Sequence, residues 1–199
     1  MLSALLALEG LLAVDVHAYG EYGFRLASEY GHVGCMAQLL VLTGPRRVHV
    51  HVHDEWAFRL ACREGHLPAV DVLLGLDGDR RLDVNAEDGA ALRWACRNNQ
   101  VAVAVRLLAL DNGRTVDVHL GGEAALREAS TWRRRDTMRL LLAATGEHAP
   151  SPASVKKLGL RTARTDAIWA GSALRGGRGV MVQSRVARRR AARAARERK

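Results

Sequence analysis

The chain has few of the residues and motifs that would assign it to several large classes of protein. Its 199 residues include only three cysteines, an odd and small number that argues against a disulfide scaffold and favours a reducing intracellular compartment, cytoplasmic or nuclear. No stretch reaches the about 18 consecutive apolar residues of a membrane-spanning helix. Nucleotide-binding glycine loops, zinc-protease motifs and serine-hydrolase motifs are absent, so we expect neither enzymatic activity nor a cofactor.

Positive charge is concentrated near the C-terminal end. The formal net charge is +9, and residues 147–199 hold 14 Lys and Arg against three Asp and Glu, whereas residues 1–146 are nearly balanced. Residues 149–184 include a glycine-rich stretch typical of a flexible linker. Residues 185–199 form a basic tail, for which we expect nuclear import, weak nonspecific binding to nucleic acid, or a disordered solubilising role. Its basic residues are Arg185, Arg188, Arg189, Arg190, Arg193, Arg196, Arg198 and Lys199.

A pattern recurs every 34 residues through the rest of the chain. One column contains Phe24, Phe58, Leu92 and Leu126, and a second contains the leucine pairs at 39–40, 73–74, 107–108 and 141–142. A fixed period of this length indicates an array of small units, each of which buries its apolar side by stacking on its neighbours. Because burying one large aliphatic side chain contributes about 1.5–3 kcal/mol, a single copy is too small to fold alone.

The array has four copies, at 14–47, 48–81, 82–115 and 116–148, and the last is atypical, as an end cap should be. The leucines at positions 5 and 6 fall one period before the pair at 39–40. We therefore interpret residues 1–13 as the second helix of a truncated leading repeat. A secretory signal is the alternative, but this segment has no basic beginning and Glu9 interrupts its apolar run.

The second copy shows the parts of one repeat. Apolar residues around Phe58 predict a first helix that ends at Gly65, and Pro68 begins a second helix that ends at Gly78. Gly78 belongs to a column with Gly44, Asn112 and Gly146. Period-two alternation follows the first three of these stops, at 48–51, 82–85 and 116–119, and also occurs at 14–17. It predicts an extended, hairpin-like connection.

The segment AFRLACREGHLPAVDVLL at 57–74, with LDVNA at 82–86, resembles the ankyrin repeat family over about residues 1–148. These repeats are also similar to those of ankyrin proteins in large DNA viruses and protists. The resemblance implies a mainly α solenoid in which helix-turn-helix pairs stack and β-hairpin loops project. Arginine stands in the family's usual histidine column, at Arg25, Arg59, Arg93 and Arg127.

The resemblance also implies a non-enzymatic scaffold, expected to be a monomer, that binds another protein through its concave face. The residues placed on that face are Tyr19, Glu21, Glu29, Tyr30, His53, Glu55, Arg63, Glu64, Glu87, Arg97, Asn98, Glu123, Thr131 and Trp132. Aromatic and arginine side chains carry most binding energy at interfaces, which favours Tyr30, Arg63, Arg97 and Trp132 as anchors. Nucleic-acid association through the basic tail is the alternative, and steep salt dependence would distinguish it.

Two groups of residues could bind a metal or react as thiols, but the repeat pattern explains both. The histidines of VHVHVHD, at 49, 51 and 53, would share one face of an extended strand and offer imidazoles to a metal. The repeat pattern already explains His51, and no cysteine pair completes a four-ligand site, so we expect no metal there. Cys62 and Cys96 share a column with Ser28 and Ser130, where packed helices need a small residue.

Overall fold

The computed structural model describes residues 3, 6, 14–111, 114–144 and 148–158. They form four helix pairs followed by a short helix, which confirms the mainly helical array. The pairs are α1 (Ala18–Glu29) with α2 (Val33–Leu40), α3 (Val52–Glu64) with α4 (Leu67–Leu74), α5 (Ala86–Arg97) with α6 (Val101–Leu108), and α7 (Leu120–Thr131) with α8 (Arg135–Ala143); α9 (Pro152–Lys157) follows. In this part of the chain, no helix has the length and hydropathy to cross a bilayer.

The helix pairs stack in chain order, first helix on first helix and second helix on second helix. The first helices α1, α3, α5 and α7 pack on one another more extensively than the second helices do. Both repeated apolar columns lie in this stack, and the four residues of the first column are no more than 2% exposed, namely Phe24, Phe58, Leu92 and Leu126. The 34-residue period therefore records the packing of each repeat on the next.

A left-handed residue joins the two helices of every pair. Gly31 and Gly65 occupy this position with φ of 68° and 84°, and Asn99 and Arg133 occupy it with φ of 59° and 54°. Gly65 ends α3 as the sequence predicted. A Cβ atom there would lie 2.2 Å from the side chain of Gln100, so a larger residue would displace that side chain as well as strain the backbone.

The segments between repeats are not β-hairpins. The described residues contain no strand. The predicted alternation of buried and exposed side chains is nevertheless present, because Val48, Val50, Leu82 and Val84 are all buried. Each connection instead runs into a left-handed turn of three residues at the start of the next first helix, at 19–21, 53–55, 87–89 and 121–123. The right-handed part of each first helix begins only after this turn.

The second helices end earlier than the sequence predicted. The helix α2 ends at Leu40 and α4 at Leu74, four residues before Gly44 and Gly78, which begin 3₁₀ turns at Gly44–Arg46 and Gly78–Arg80. An arginine from the loop of the next repeat caps the carbonyls at the end of each of these two helices. Arg80 donates to Leu40 O at 2.7 Å, and Arg114 donates to Leu74 O, so a cation lies at the negative end of each helix.

The predicted linker begins with ordered structure. Ser151 caps α9 and also donates its backbone N–H to Glu123 at 2.6 Å, so the end cap continues beyond residue 148. The rest of the linker, from 159, and the basic tail at 185–199 lie outside the described residues, as does most of the leading half-repeat. In that leading segment Ser3 and Leu6 are helical, and Arg46 donates to Leu6 O at 2.7 Å, again across 40 residues.

Candidate protein-binding surface

The left-handed turns present variable side chains on a constant backbone. Their first residues are Tyr19, His53, Glu87 and Gly121, and the three that carry side chains are exposed. A left-handed conformation costs about 1–2 kcal/mol for a residue other than glycine. The turns are therefore held by other contacts, which leaves the chemistry of each tip free to differ.

The unusual arginine column supplies one of these contacts. Arg25 donates to Tyr19 O at 2.8 Å, Arg59 to His53 O at 2.5 Å and Arg127 to Gly121 O at 2.7 Å. In each case the arginine reaches back six residues to the first carbonyl of the left-handed turn. The column thus replaces the family's histidine with a longer donor that fixes the tip of its own repeat.

Three glutamates that the sequence placed on the binding face are buried instead. Glu21, Glu55 and Glu123 are 1%, 4% and 4% exposed. Each is the third residue of its left-handed turn, and the reversal of the backbone there directs its carboxylate toward the following repeat. These three residues were wrongly assigned to the surface, and their role is to join repeats.

Each buried glutamate accepts hydrogen bonds from two repeats. In its own repeat Glu55 Oε1 faces His51 Nδ1 at 2.7 Å, and from the next repeat it accepts the backbone N–H of Asp83 at 3.2 Å. His51 Nε2 lies 2.8 Å from Asp79 O. These contacts, first with Glu55 and then with Asp79, raise the pKa of His51 above its ordinary value. We call this arrangement the His–Glu junction.

The same junction recurs on both sides of the array. Glu21 lies 2.6 Å from His17 Nδ1 and accepts His49 N at 3.0 Å, and Glu123 lies 3.2 Å from His119 Nδ1 and accepts Ser151 N at 2.6 Å. The acceptor and the backbone donor are always 28 residues apart. Ser151 therefore occupies the place that the start of a further repeat would take.

The third repeat joins the fourth through different residues. Asn85 replaces histidine, and Gly89, with φ of 68°, replaces glutamate. The amide of Asn85 accepts Asp117 N at 2.9 Å through Oδ1 and donates to Thr115 O at 3.0 Å through Nδ2. One asparagine thus supplies both the acceptor and the donor, so no carboxylate is needed.

Aromatic rings and arginines lie together along the first helices. Trp56 and Trp94 meet edge to face with ring centroids 5.4 Å apart, and the guanidinium of Arg59 lies 4.9 Å and 5.4 Å from these two rings. Further along, Arg97 lies 4.6 Å from the ring of Trp132. Cations within about 6 Å of a ring centroid attract it. We call this set, with Tyr22, Arg25 and Arg63, the aromatic–arginine row.

The members of the row differ in exposure. Arg59 is 6% exposed and burial lowers its pKa, whereas Trp132 is 46% exposed and Tyr22 is 50% exposed. Trp132 also donates its indole N–H to Glu128 at 3.0 Å, which fixes the ring on α7. The central residues thus support the surface, and the outer rings are available to a partner.

Three tyrosines make the start of the array the most aromatic part of this surface. Tyr19, Tyr22 and Tyr30 are 88%, 50% and 62% exposed. They line one groove of about 480 Å³ together with apolar side chains that include Leu26 and Leu39. Tyr22 shares a repeat column with Trp56, but half of its side chain is exposed to solvent.

The remaining predicted surface residues lie near the C-terminal ends of the first helices or on the turns. Arg63 donates to Glu29 at 2.6 Å, which joins α3 to α1 across two repeats, and also to Glu64 at 2.5 Å. Arg97, Asn98 and Thr131 are exposed at the matching positions of α5 and α7. Together with Tyr30 and Trp132, these residues occupy two adjacent positions that recur in every repeat, so they form one continuous strip along the array.

The cysteines and alternating histidines that the sequence offered for chemistry are explained by the fold. Cys62 and Cys96 are fully buried, and burial raises the pKa of the Cys96 thiol to about 12 and that of Cys62 as well. The alternating histidines do not converge, because His51 belongs to the junction with Glu55 and His53 lies on an exposed turn. The third of these, His49, lies beside His17 and Glu21.

A family model describing ankyrin repeats matches three copies over residues 58–151. This stretch of the chain consists of ankyrin repeats. Repeats of this family are generally modules of protein–protein interaction. The first copy lies before the matched residues but has the same left-handed turn, arginine contact and His–Glu junction. Comparisons with curated proteins and with solved structures gave no match.

Sequence reasoning missed the contacts of the junction and the Trp56–Arg59–Trp94 part of the aromatic–arginine row. The signal for the junction was present, because histidine and glutamate stand four residues apart in copies one, two and four, and both are replaced in copy three. Correlated replacement inside one chain indicates a contact. The row had no comparable signal, since Trp56 and Trp94 stand in different columns and come together only through packing between repeats.

Proposed function

We propose that this ankyrin repeat protein is a non-enzymatic scaffold that binds another protein along its turns and first helices. The exposed pair of Trp132 and Arg97 carries this proposal. The two groups lie 4.6 Å apart on adjacent repeats, and 46% of Trp132 remains open to solvent. A half-exposed tryptophan held in place by an arginine and by Glu128 resembles the anchors that dominate protein interfaces.

The binding surface extends from this pair toward the tyrosines of the first repeat. Tyr30, Arg63 and Arg97 line the intervening helix ends, and Arg63 is already held by Glu29, so little side-chain freedom is lost on binding. The exposed tips at Tyr19, His53 and Glu87 would add specificity. The buried Glu21, Glu55 and Glu123 have no place in this interface.

Affinity capture from the source cells tests the proposal, with the full chain, a Trp132→Ala variant and a Val105→Ala control. Val105 is 47% exposed on a second helix, so it matches Trp132 in exposure but lies outside the proposed surface. We expect a defined protein partner, identified by mass spectrometry, that survives high salt, is retained by Val105→Ala and is lost with Trp132→Ala. Equal retention by both variants would reject this surface.

The salt series also separates this function from binding through the basic tail. Contacts to phosphate weaken steeply with added salt, whereas apolar and cation–π contacts weaken much less. A chain truncated after residue 158 should therefore keep its partner under our proposal. If everything captured requires residues 185–199 and is removed by salt, polyanion binding or nuclear import through the tail would be the better description.

A further inference from the structure

Two imidazoles and a carboxylate converge at the junction between the first and second repeats. His17 Nδ1 lies 2.6 Å from Glu21 Oε1, and His49 Nδ1 lies 3.1 Å from the same oxygen. The two rings are 4.9 Å apart. Their potential ligand atoms all lie within 4.8 Å of one another. His17 and Glu21 come from one repeat and His49 from the next.

The side chain of His49 is not needed for the junction itself. Its backbone N–H already supplies the hydrogen bond to Glu21 that Asp83 supplies to Glu55 and Ser151 to Glu123. The matching positions elsewhere in the array are aspartates, at Asp15, Asp83 and Asp117. A second imidazole directed at the buried carboxylate is therefore a feature of this junction that the repeat does not explain.

We propose that His17, Glu21 and His49 bind a divalent transition-metal ion, with Zn²⁺ as the best fit. Two imidazole nitrogens and one carboxylate form a common three-ligand zinc set, in which a water or a partner's side chain takes the fourth position. The site is open for that purpose, because the side chain of His49 is 70% exposed, while Glu21 is 1% exposed.

The surroundings of His17 suit a metal ligand. Its Nε2 lies 2.8 Å from Pro45 O, so a proton on Nε2 leaves the lone pair of Nδ1 directed at Glu21. Ligating histidines typically donate their second ring N–H to a carbonyl in this way. A lone pair and a carboxylate 2.6 Å apart require a cation between them, and either a proton or a metal ion can fill that role.

The geometry requires both imidazole rings to move on binding. Ligand atoms about 2.05 Å from a tetrahedral zinc ion lie about 3.3 Å apart. The His49–Glu21 distance of 3.1 Å is close to this value, and His17 would withdraw from Glu21 by about 0.7 Å from its present 2.6 Å. The two imidazole nitrogens lie up to 4.8 Å apart, so they must also approach each other by up to about 1.5 Å. Both rings have room to move, because the side chains of His17 and His49 are 32% and 70% exposed.

Titration of Zn²⁺ into the chelator-treated full-length protein, without an affinity tag, tests this site. We expect one strong equivalent by calorimetry, and a Co²⁺ spectrum typical of low coordination number that Zn²⁺ bleaches. His49→Ala should weaken binding by more than the roughly 10–100-fold that loss of an outer-shell partner costs. It should leave the melting temperature of the metal-free protein unchanged, since the ring is mostly exposed.

Two further variants make the test specific. His53→Ala removes a neighbouring exposed histidine outside the cluster and should bind Zn²⁺ as the wild type does. The double variant His17→Asn/Glu21→Gly copies the Asn85/Gly89 pair, so it removes two ligands with a combination that this fold already contains, and it should fold without binding Zn²⁺. Absence of a strong Zn²⁺ equivalent in the wild type, or equal affinity in wild type and His49→Ala, would overturn the proposal.

Discussion

The two kinds of junction predict that one can be converted into the other by a paired exchange. His51→Asn and Glu55→Gly together would give the second junction the residues found at Asn85 and Gly89. In the exchanged junction, the introduced asparagine should accept from Asp83 N and donate to the carbonyl of Arg81. Each substitution alone should be harmful, and the pair should restore most of the lost stability.

The contacts of Glu55 set the size of the effect. Glu55→Gly removes the acceptor for His51 Nδ1 at 2.7 Å and for Asp83 N at 3.2 Å, and hydrogen bonds to a charged group contribute about 1.5–3 kcal/mol each. Glycine relieves about 1–2 kcal/mol of strain at φ of 63°. The net loss for Glu55→Gly is therefore about 3 kcal/mol, and we expect the double variant to lie within about 1 kcal/mol of wild type.

Urea denaturation of the four members of this cycle measures the coupling. Far-UV circular dichroism follows the whole array. Tryptophan fluorescence adds a signal from the junction, because Trp56 and Trp94, two of the four tryptophans, lie 5.4 Å apart on either side of it. Glu87→Gly is the control for strain alone, since Glu87 is exposed and has φ of 54°. It should stabilise by about 1 kcal/mol. Additive losses in the double variant would refute the idea that the two residue pairs are alternative solutions.

Three further predictions concern single sites. Arg133→Gly should stabilise the array by about 0.5–1 kcal/mol in urea denaturation, because Arg133 has φ of 54° where two other repeats have glycine; a loss of stability would contradict this reasoning. Iodoacetamide at pH 8 should label Cys35 and leave Cys62 and Cys96 intact by mass spectrometry, since burial raises the pKa of both thiols; native-state labelling of either would disprove their inertness. Burial alone would raise the pKa of Glu123, but the hydrogen bonds that it accepts lower its pKa. The docking of residues 148–158 is therefore fully stabilised above the ordinary carboxyl pKa of about 4.3, and this stabilisation is lost as the pH falls through the lowered value. The protection of the Ser151 amide from hydrogen exchange should fall in that range and stay constant from pH 6 to 8.

The architecture of the array was predictable because packing between repeats is read directly from periodic apolar residues. The column of Phe58 and the first leucine of each leucine pair are buried at each period, and Gly65 ends its helix in the left-handed conformation. Each of these follows from local chemistry alone. A buried apolar column needs only a partner of the same kind one repeat away, and that partner is visible in the sequence.

The connections were not predictable by the same reasoning. Alternation of valine and polar residues at 48–51 predicts a strand, and the valines are indeed buried. A strand would need a hydrogen-bonded neighbour, whereas here the polar groups bond to the side chains of Glu21 and Glu55 from adjacent turns. Tertiary hydrogen bonds thus override local propensity and hold three successive residues left-handed.

The fourth repeat shows how much replacement this geometry tolerates. Its turn lacks glycine, yet Arg133 keeps a left-handed φ of 54°, and Arg134 donates to Arg97 O at 2.7 Å where Gln100 donates to Arg63 O at 3.2 Å. The backbone of the turn is thus retained despite the change of sequence. Loss of a familiar residue therefore does not indicate loss of the contact it makes.

The buried junctions separate stability from recognition in this molecule. His51 and Glu55 fix the backbone of the turn from inside, so the exposed residue at its tip contributes little to folding, and its neighbours in other repeats are tyrosine, glutamate and glycine. Selection can then alter the tips without cost to the core. His49 departs from this division, because its side chain joins a buried junction to the surface, and a metal ion bound there would couple the stability of the first interface to the ligands available outside it.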